Sequence, residues 1–528
     1  MPAGNLAKHV STRRTPQTQR SQPDEVVNNA GGFVFQLDKW KRLERFLILG
    51  SDGGTYYANE RDLTIDNAQV INDCASEDGR KTVDVICEIS QAGRAPKNDP
   101  AIFAMAMLAG YADDNTRKYA LANLNRVCRI GTHLFQFVDA VENFRGWGRG
   151  LRRAVGAWYT DKDANRLAYQ VTKYQQRGGW SHRDVLRLAH PVTENAELTD
   201  VIKYAAGKSH DGTNRLIEGV EEVKRAGSAS EVVRLITEYG LVREHVPTEW
   251  LGDVQVWEAL VEKMPITAMI RNLGKMTSNG LLTPMSNAAM KVIANLRDVE
   301  KLRQGRVHPL AVLTAMKVYS QGKGIRGSLS WTPVSQISDA LDDAFYASFG
   351  VIEPANKRTL IGLDVSGSMY GGWGGDIQGS PLCAAEASAA MAMVSARTEP
   401  FFQLMAFSDT FRDVTFGAKS RLDDVLSRTR NMTFGCTDCS LPMIYASENN
   451  IDVDTFMVLT DSETYAGSIK PHQAIQQYRQ KTGIPAKLVV VGMTATGFSI
   501  ADPNDAGMLD VVGFDTAAPN IISDFSRS

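Results

Sequence analysis

The spacing of apolar residues changes character once along this chain, near Pro354, and that change limits the folds open to it. Across residues 31–355 apolar side chains recur mainly at helical intervals, with Gly or Pro punctuation every few turns. A helical stretch of that length exceeds a simple bundle and calls for stacked helical pairs, although no strict sequence repeat marks a solenoid. Beyond Pro354, short apolar runs alternate with helical segments. The run Arg358-Thr-Leu-Ile-Gly-Leu-Asp364 ends in a carboxylate, and residues 384–396 form an Ala- and Met-rich helix. Phe402 to Phe407, Thr455 to Asp461 and Lys487 to Gly492 follow as further strands. Strand, helix, strand in alternation predicts a doubly wound α/β domain with a mostly parallel buried sheet, whose ligands sit at the carboxyl ends of the strands. At 528 residues the chain is too long for one core. Residues 31–355 and 356–528 are therefore expected as separate packed units, behind a flexible basic and polar tail over residues 1–30.

The formal net charge of −2 conceals a division between these units. Residues 1–350 carry 45 basic and 40 acidic side chains, net +5, whereas residues 351–528 carry 13 and 20, net −7. The near-neutral total excludes a simple polycation, and the 22% charged, 43% apolar composition excludes wholesale disorder. Six cysteines are too few and too scattered for a secreted disulfide framework, which points to a reducing, cytoplasmic setting. No apolar run approaches the roughly 18 residues of a membrane span, so no membrane partner is expected. Residues 1–30, with Arg13, Arg14 and Arg20, have no continuous apolar core, so they read as a mobile tail or a basic arm touching RNA, not a secretory signal.

The sequence Asp364-Val-Ser366-Gly-Ser368 stands where the first strand should end, so one carboxylate and two hydroxyls can converge above the sheet. Such oxygens suit a hard cation such as Mg²⁺, which needs few protein carboxylates and keeps several waters. Two more oxygens are expected from later loops: Thr437, in the turn Gly435-Cys-Thr-Asp-Cys439, and Asp461, which closes a strand. This set resembles the metal-ion-dependent adhesion site of von Willebrand factor A domains, with all five positions filled. Rival readings use the same segments. A haloacid-dehalogenase phosphatase needs a second carboxylate two residues after the first, where this chain has Ser366. Cys436-x-x-Cys439 suits a redox pair or half a zinc site but has no second Cys pair or His cluster beside it. The loop Gly371-Gly-Trp-Gly-Gly375 looks like a phosphate cradle but lacks the Lys-Ser or Lys-Thr that would follow one. A Mg²⁺-dependent hydrolase is thus disfavoured, and no enzyme activity is expected.

Residues 125–190 hold twelve Arg or Lys against five acidic residues. Arg166, Gln170, Lys173 and Arg177 follow i, i+4, i+7, i+11 and would share one helical face, beside an apolar side of Leu167, Val171 and Tyr174. Gly178-Gly-Trp-Ser181 should break that helix, and Ser181 with Asp184 resembles a capping box that starts the next. On this second helix Arg183, Arg187 and His190 are in phase, opposite Val185, Leu188 and Ala189. Arg126 and Arg129 pair at i, i+3, and Arg149, Arg152 and Arg153 cluster beside Trp147. A second basic stretch, residues 271–326, has ten basic side chains against Asp298 and Glu300. Any one such face is ordinarily a solvated helix surface. Two clusters with interleaved aromatic residues in a near-neutral chain suit phosphate contacts and base stacking on single-stranded or irregular RNA.

Several strings are similar to the Ro 60 kDa autoantigen family: Phe46-Leu-Ile-Leu-Gly-Ser-Asp-Gly-Gly-Thr-Tyr-Tyr57, Lys173 to His190, Leu241-Val-Arg-Glu-His245, Arg271-Asn-Leu-Gly-Lys-Met276, Thr437-Asp-Cys-Ser-Leu-Pro-Met443, Ile484-Pro-Ala-Lys487 and Ile500-Ala-Asp-Pro503. The resemblance runs from about residue 31 to the last residues and implies a bacterial-type member of that family. It implies a TROVE module, a HEAT-like α-helical ring, followed by the von Willebrand factor A domain. It further implies Y RNA bound on the outer ring surface and single-stranded 3′ ends of misfolded noncoding RNA threaded through the hole, in RNA quality control. An exoribonuclease such as polynucleotide phosphorylase is a partner the resemblance suggests, and a ring closed within one chain needs no second copy, so a monomer is expected. By motif position Lys173, Arg177 and His190 resemble the family's RNA contacts. Arg126, Arg129, Arg183 and Arg187 join them on charge phase alone. The alternative function is a metal-dependent protein-interaction adaptor whose basic helices merely solvate the surface.

Overall fold

A computed structural model describes residues 11–528 except 51–59, 326, 372–376, 378–379, 415 and 433–434. Most of the Gly-rich insertion 370–380 thus lies outside the described residues.

Two short strands, β1 (Glu25–Val27) and β2 (Phe33–Gln36), open the fold. Helices then occupy the chain from Lys39–Leu49 to Ser335–Ala347, interrupted by a two-residue hairpin of β3 (Gln176–Arg177) and β4 (Trp180–Ser181). Each helix packs mainly on near neighbours in sequence: Asp99–Tyr111 on Gly131–Glu142, Ala164–Lys173 on Arg215–Val223, that helix on Ala229–Tyr239, and Ile266–Ser278 on Pro309–Ser320. This is the contact pattern of stacked helical pairs. The succession returns to its start, because His308 Nε2 lies 3.1 Å from the carbonyl oxygen of Arg94 and 2.9 Å from that of Phe514.

The second domain is built on a six-stranded sheet. Its strands are β5 (Thr359–Asp364), β6 (Phe402–Phe407), β7 (Phe411–Asp413), β8 (Thr455–Thr460) and β9 (Lys487–Gly492), then, past the short β10 (Phe498–Ser499), β11 (Met508–Val512). The order is β11-β9-β8-β5-β6-β7, parallel throughout except for β7 at one edge. Alternate residues supply two cores. Leu360, Phe456, Val458, Leu488 and Val490 face Met443, Ile475 and Tyr478. Ile361, Leu363, Met457, Leu459, Val489 and Val491 join the helix Ala384–Thr398 and the helical region from Val220 to Phe349 in one continuous cluster. The apolar core therefore crosses from one domain into the other.

Two expectations are corrected here. Residues 11–30, expected as a flexible tail, are built into the second domain. Strand β2 pairs with β1 on one side and β10 on the other, and Gln17 is buried, donating to Asp438 Oδ1 (2.7 Å) and the Ile469 carbonyl (3.0 Å). The segment is polar because it meets polar loops, and its side-chain amides satisfy their backbone groups. Nor does Arg177 share a helical face with Arg166 and Lys173. The helix Ala164–Lys173 stops short of it, and Gly178 (φ +57°) and Gly179 (φ +84°) make the tight turn of the β3–β4 hairpin. Two consecutive left-handed residues favour a hairpin over another helical turn.

Candidate functional site

β5 and β8 are neighbours, with Leu363 opposite Leu459, so Asp364 and Asp461 emerge side by side at the carboxyl ends of parallel strands. Asp364 Oδ1 accepts the Ser366 N–H at 2.9 Å and its Oδ2 accepts the Thr460 hydroxyl at 2.6 Å. The hydroxyl oxygens of Ser366 and Ser368 stand 3.3 Å apart. Asp461 Oδ1 accepts the Glu463 N–H at 3.0 Å, while its Oδ2 is buried without a partner. The loop carrying Thr437 is drawn to the same pole. The Thr437 carbonyl accepts N–H groups from Tyr465 (3.1 Å) and Ala466 (3.0 Å), and the Asp438 N–H donates to Ser408 beyond β6 at 2.9 Å. All five residues are at most 4% exposed.

Asp364 and Asp461 are buried carboxylates, and among the described residues no cationic side chain is paired to either. Burial, then the charge of Asp461, pushes Asp364 up to about 7, and burial also raises Asp461. Two adjacent dry carboxylates, one with an orphaned oxygen, together with the Ser366 and Ser368 hydroxyls, fit a hard divalent cation better than any soft metal. Among the described residues no three His, Cys, Asp or Glu side chains gather as a metal-binding group. Cys436 is exposed whereas Cys439 is buried, its thiol 3.5 Å from Thr460 Oγ1.

Sequence reasoning missed the supports of this pole. Thr460 fixes Asp364, and residues near the start of the chain brace the third loop. Asn28 Nδ2 donates to the carbonyls of Ser462 (3.1 Å) and Thr464 (2.9 Å). Asn29 Nδ2 and the Ala30 N–H hold the Glu463 carboxylate at 2.7 and 3.0 Å. Contacts between residues more than 430 positions apart leave no local signature.

The cations lie on the helical region. The capping box forms at Ser181 and Asp184, starting the helix His182–Ala189, and Arg183 and Arg187 project from its exposed side. His190 caps that helix in the left-handed conformation (φ +48°) and is exposed. Arg177 is exposed at the hairpin beside them. Among the described residues none of these three arginines is ion-paired, and Asp184, the one acid of that helix, is held by Ser181. Lys173 is half-buried. Its ammonium donates to the Tyr169 hydroxyl at 2.8 Å and lies over the rings of Tyr169 and Tyr174. Burial opposes its charge most strongly, but the Tyr169 hydrogen bond together with the charges of Tyr174, Tyr169 and Glu244 outweighs it and raises its pKa. Arg126 is ion-paired with Asp84 (3.3 Å) and bonded to Gln91 (2.9 Å), whereas Arg129 has no carboxylate partner among the described residues. Arg126 is thus neutralised by an ion pair, unlike the exposed Arg177, Arg183 and Arg187.

Residues 26–318 match the model of the TROVE domain, and residues 358–526 that of the Ro60 vWA domain. The chain belongs to the Ro60 family. It is 41% identical to the RNA-binding protein RO60 of Deinococcus radiodurans over 99% of both chains, and 37% identical to that of Caenorhabditis elegans over 97% of this chain and 92% of the relative. Among solved structures it is similar to the D. radiodurans RO (RSR) protein, with a TM-score of 0.70 at 40% identity over 93% of this chain and 99% of that one. In this Ro60-family chain all seven basic candidates fall inside the TROVE match and all five oxygen donors inside the vWA match.

Proposed function

We propose that this protein is an RNA-binding scaffold and not an enzyme. The observation that carries the reading is the row of exposed cations without acidic partners at Arg177, Arg183 and Arg187, beside His190 and Lys173. Relatives over nearly the whole chain are named RNA-binding proteins, which supports it. Unpaired cations on a rigid surface attract phosphates and release counterions, so affinity falls with salt. The RNAs this surface suits are small structured noncoding RNAs of the Y type. The closed succession of helices suits single-stranded 3′ ends of misfolded RNA in its opening, which would make shape and free ends the criterion for quality control. An exoribonuclease is the partner such a scaffold would serve, and one chain suffices to form it.

Asp364, Ser366, Ser368, Thr437 and Asp461 would hold Mg²⁺ in the second domain. The bound ion would supply an electrophilic point for a carboxylate of a protein partner. Asp364 and Asp461 orient the charge, the hydroxyls complete the oxygen set, and Asn28 and Asn29 keep the third loop in place.

Filter binding of a structured small RNA at several salt concentrations tests the main reading. Lys173→Ala/Arg177→Ala should weaken binding and lower the slope of log K against log salt by about 1.4–1.8, the range for two phosphates from single strand to duplex. An unchanged affinity and slope would leave the adaptor reading, in which the basic helices only solvate the surface.

A further inference from the structure

One group of cations in the helical region lines a cleft open to the surface. A cleft of about 530 Å³ lies between the turn at Arg129 and the helix Ala164–Lys173, lined by Arg129, Lys162, Asn165, Arg166, Tyr169 and Gln170. Three of these side chains are cationic and none is acidic. Arg129 and Lys162 are half-buried. Arg129 anchors one edge of its guanidinium, Nη1 donating to Ser90 Oγ (2.6 Å) and the Arg126 carbonyl (3.1 Å). Burial, then the like charge of Arg306, depresses its pKa. The Lys162 ammonium lies 3.6 Å from the centre of the Trp158 ring and donates to the Trp158 carbonyl. Burial lowers it to about 8, with Asp161 opposing. Asp161 accepts from Asn125 Nδ2 at 2.8 Å, and Asp163 caps the helix through the Arg166 N–H and pairs with the exposed Arg166 side chain at 3.3 Å, so among the described residues it is Arg129 and Lys162 that have no ion pair.

The remaining groups also present donors. Gln170 Oε1 accepts the Gly131 N–H at 3.0 Å, which leaves its amide NH₂ for another acceptor. The Tyr169 oxygen accepts from Lys173, which leaves its own proton. Two half-buried cations, Arg129 and Lys162, with no ion pair among the described residues are costly, and an anion between them would offset that cost. A carboxylate offers two oxygens in one plane, whereas a phosphate offers several acceptors in different directions, to a guanidinium fork on one side and an ammonium on another. We propose that this cleft holds one phosphate group of an RNA backbone, gripped by Arg129 and Lys162, with Arg166, Tyr169 and Gln170 donating at its mouth. The assignment rests on the RNA-binding reading above and adds a phosphate anchor beside the helix that carries Lys173.

Two measurements on the full chain test it. Thermal unfolding is followed in inorganic phosphate and in chloride at equal ionic strength, and single-stranded RNA affinity is measured against salt. The variants are Lys162→Met, Arg129→Gln and Arg166→Gln, the last at a site 83% exposed that does not hold the fold together. Phosphate should raise the Tm of the wild-type protein above its value in chloride, and Lys162→Met and Arg129→Gln should abolish that difference. Lys162→Met should also lower the RNA salt slope by about 0.7, the increment for one single-strand phosphate. A wild-type phosphate response retained by all three variants overturns the site. A response lost while the RNA slope stays unchanged overturns the backbone assignment and leaves free phosphate as the ligand. A wild-type protein with no salt-dependent RNA affinity overturns the RNA reading itself, whatever the phosphate arm shows.

Discussion

Arg45 joins the two domains, and its removal tests how they are held. It sits on the helix Lys39–Leu49 at 1% exposure. Its Nη2 pairs with Asp510 Oδ2 of β11 at 2.6 Å, and its Nη1 donates to the carbonyls of Thr496 (3.0 Å) and Phe498 (3.1 Å). Asp510 is 7% exposed in its side chain, and its Oδ1 already has no partner. Arg45→Met keeps an apolar stem but leaves a dry carboxylate and two carbonyls without their donor. A buried charge stripped of its partner costs about 3–5 kcal/mol, a large share of the 5–15 kcal/mol typical of a folded domain. The cost lies in the unpaired charge more than in a lost attraction. Arg45→Met/Asp510→Leu should therefore recover most of it, to within about 1–2 kcal/mol of wild type. A Cβ on Gly492 would stand 2.3 Å from Arg45 Nη2, so Gly492→Ala should destabilise the wild-type chain and be tolerated beside Arg45→Met. Urea unfolding followed by far-UV circular dichroism and tryptophan fluorescence measures all four. A single variant that costs less than about 1 kcal/mol, or a double variant as unstable as the single, would refute the reasoning.

Burial holds His133, His182, His245 and His308 at about 4, well below the ordinary 6.5. Between those values the unfolded chain binds more protons, so stability falls as pH drops from about 6.5 towards 4, by about 2 kcal/mol per histidine at pH 5. Urea midpoints that do not fall between pH 7.5 and 5 would contradict it. Mg²⁺ added to chelator-treated protein should raise the Tm, and Asp461→Asn should remove the rise; a wild-type Tm indifferent to Mg²⁺ counts against the site. Of the six free cysteines only Cys436 is exposed, so a thiol reagent should label one group quickly in the native protein and the other five only on unfolding. Fast labelling of Cys439 as well would reopen the redox reading.

The second domain was legible because buried parallel strands announce themselves locally. The runs at 402–407 and 487–492 are strands with those bounds, and the carboxylates that end β5 and follow β8 lie where the alternation put them. The capping box at Ser181 was legible for the same reason, since a cap is made within four residues. The extra parallel strand β11 and the edge strand β7 were not expected, being short and weakly patterned. Arg177 was misplaced because helical periodicity was carried past the point where the tertiary structure ends the helix. Arg126 looked like a free surface cation until the fold brought Asp84 to it.

By itself the sequence determined the order of the domains, the rise and fall of charge along them, and the oxygen donors of the second-domain pole, because these depend on residue type and near spacing. Only the tertiary structure decided which cations are free, which are neutralised and which line a cleft. It also turned a polar leading segment into a brace for Asp461's loop. Those outcomes depend on contacts across hundreds of residues, where burial and the nearest opposite charge set the energy of each polar group.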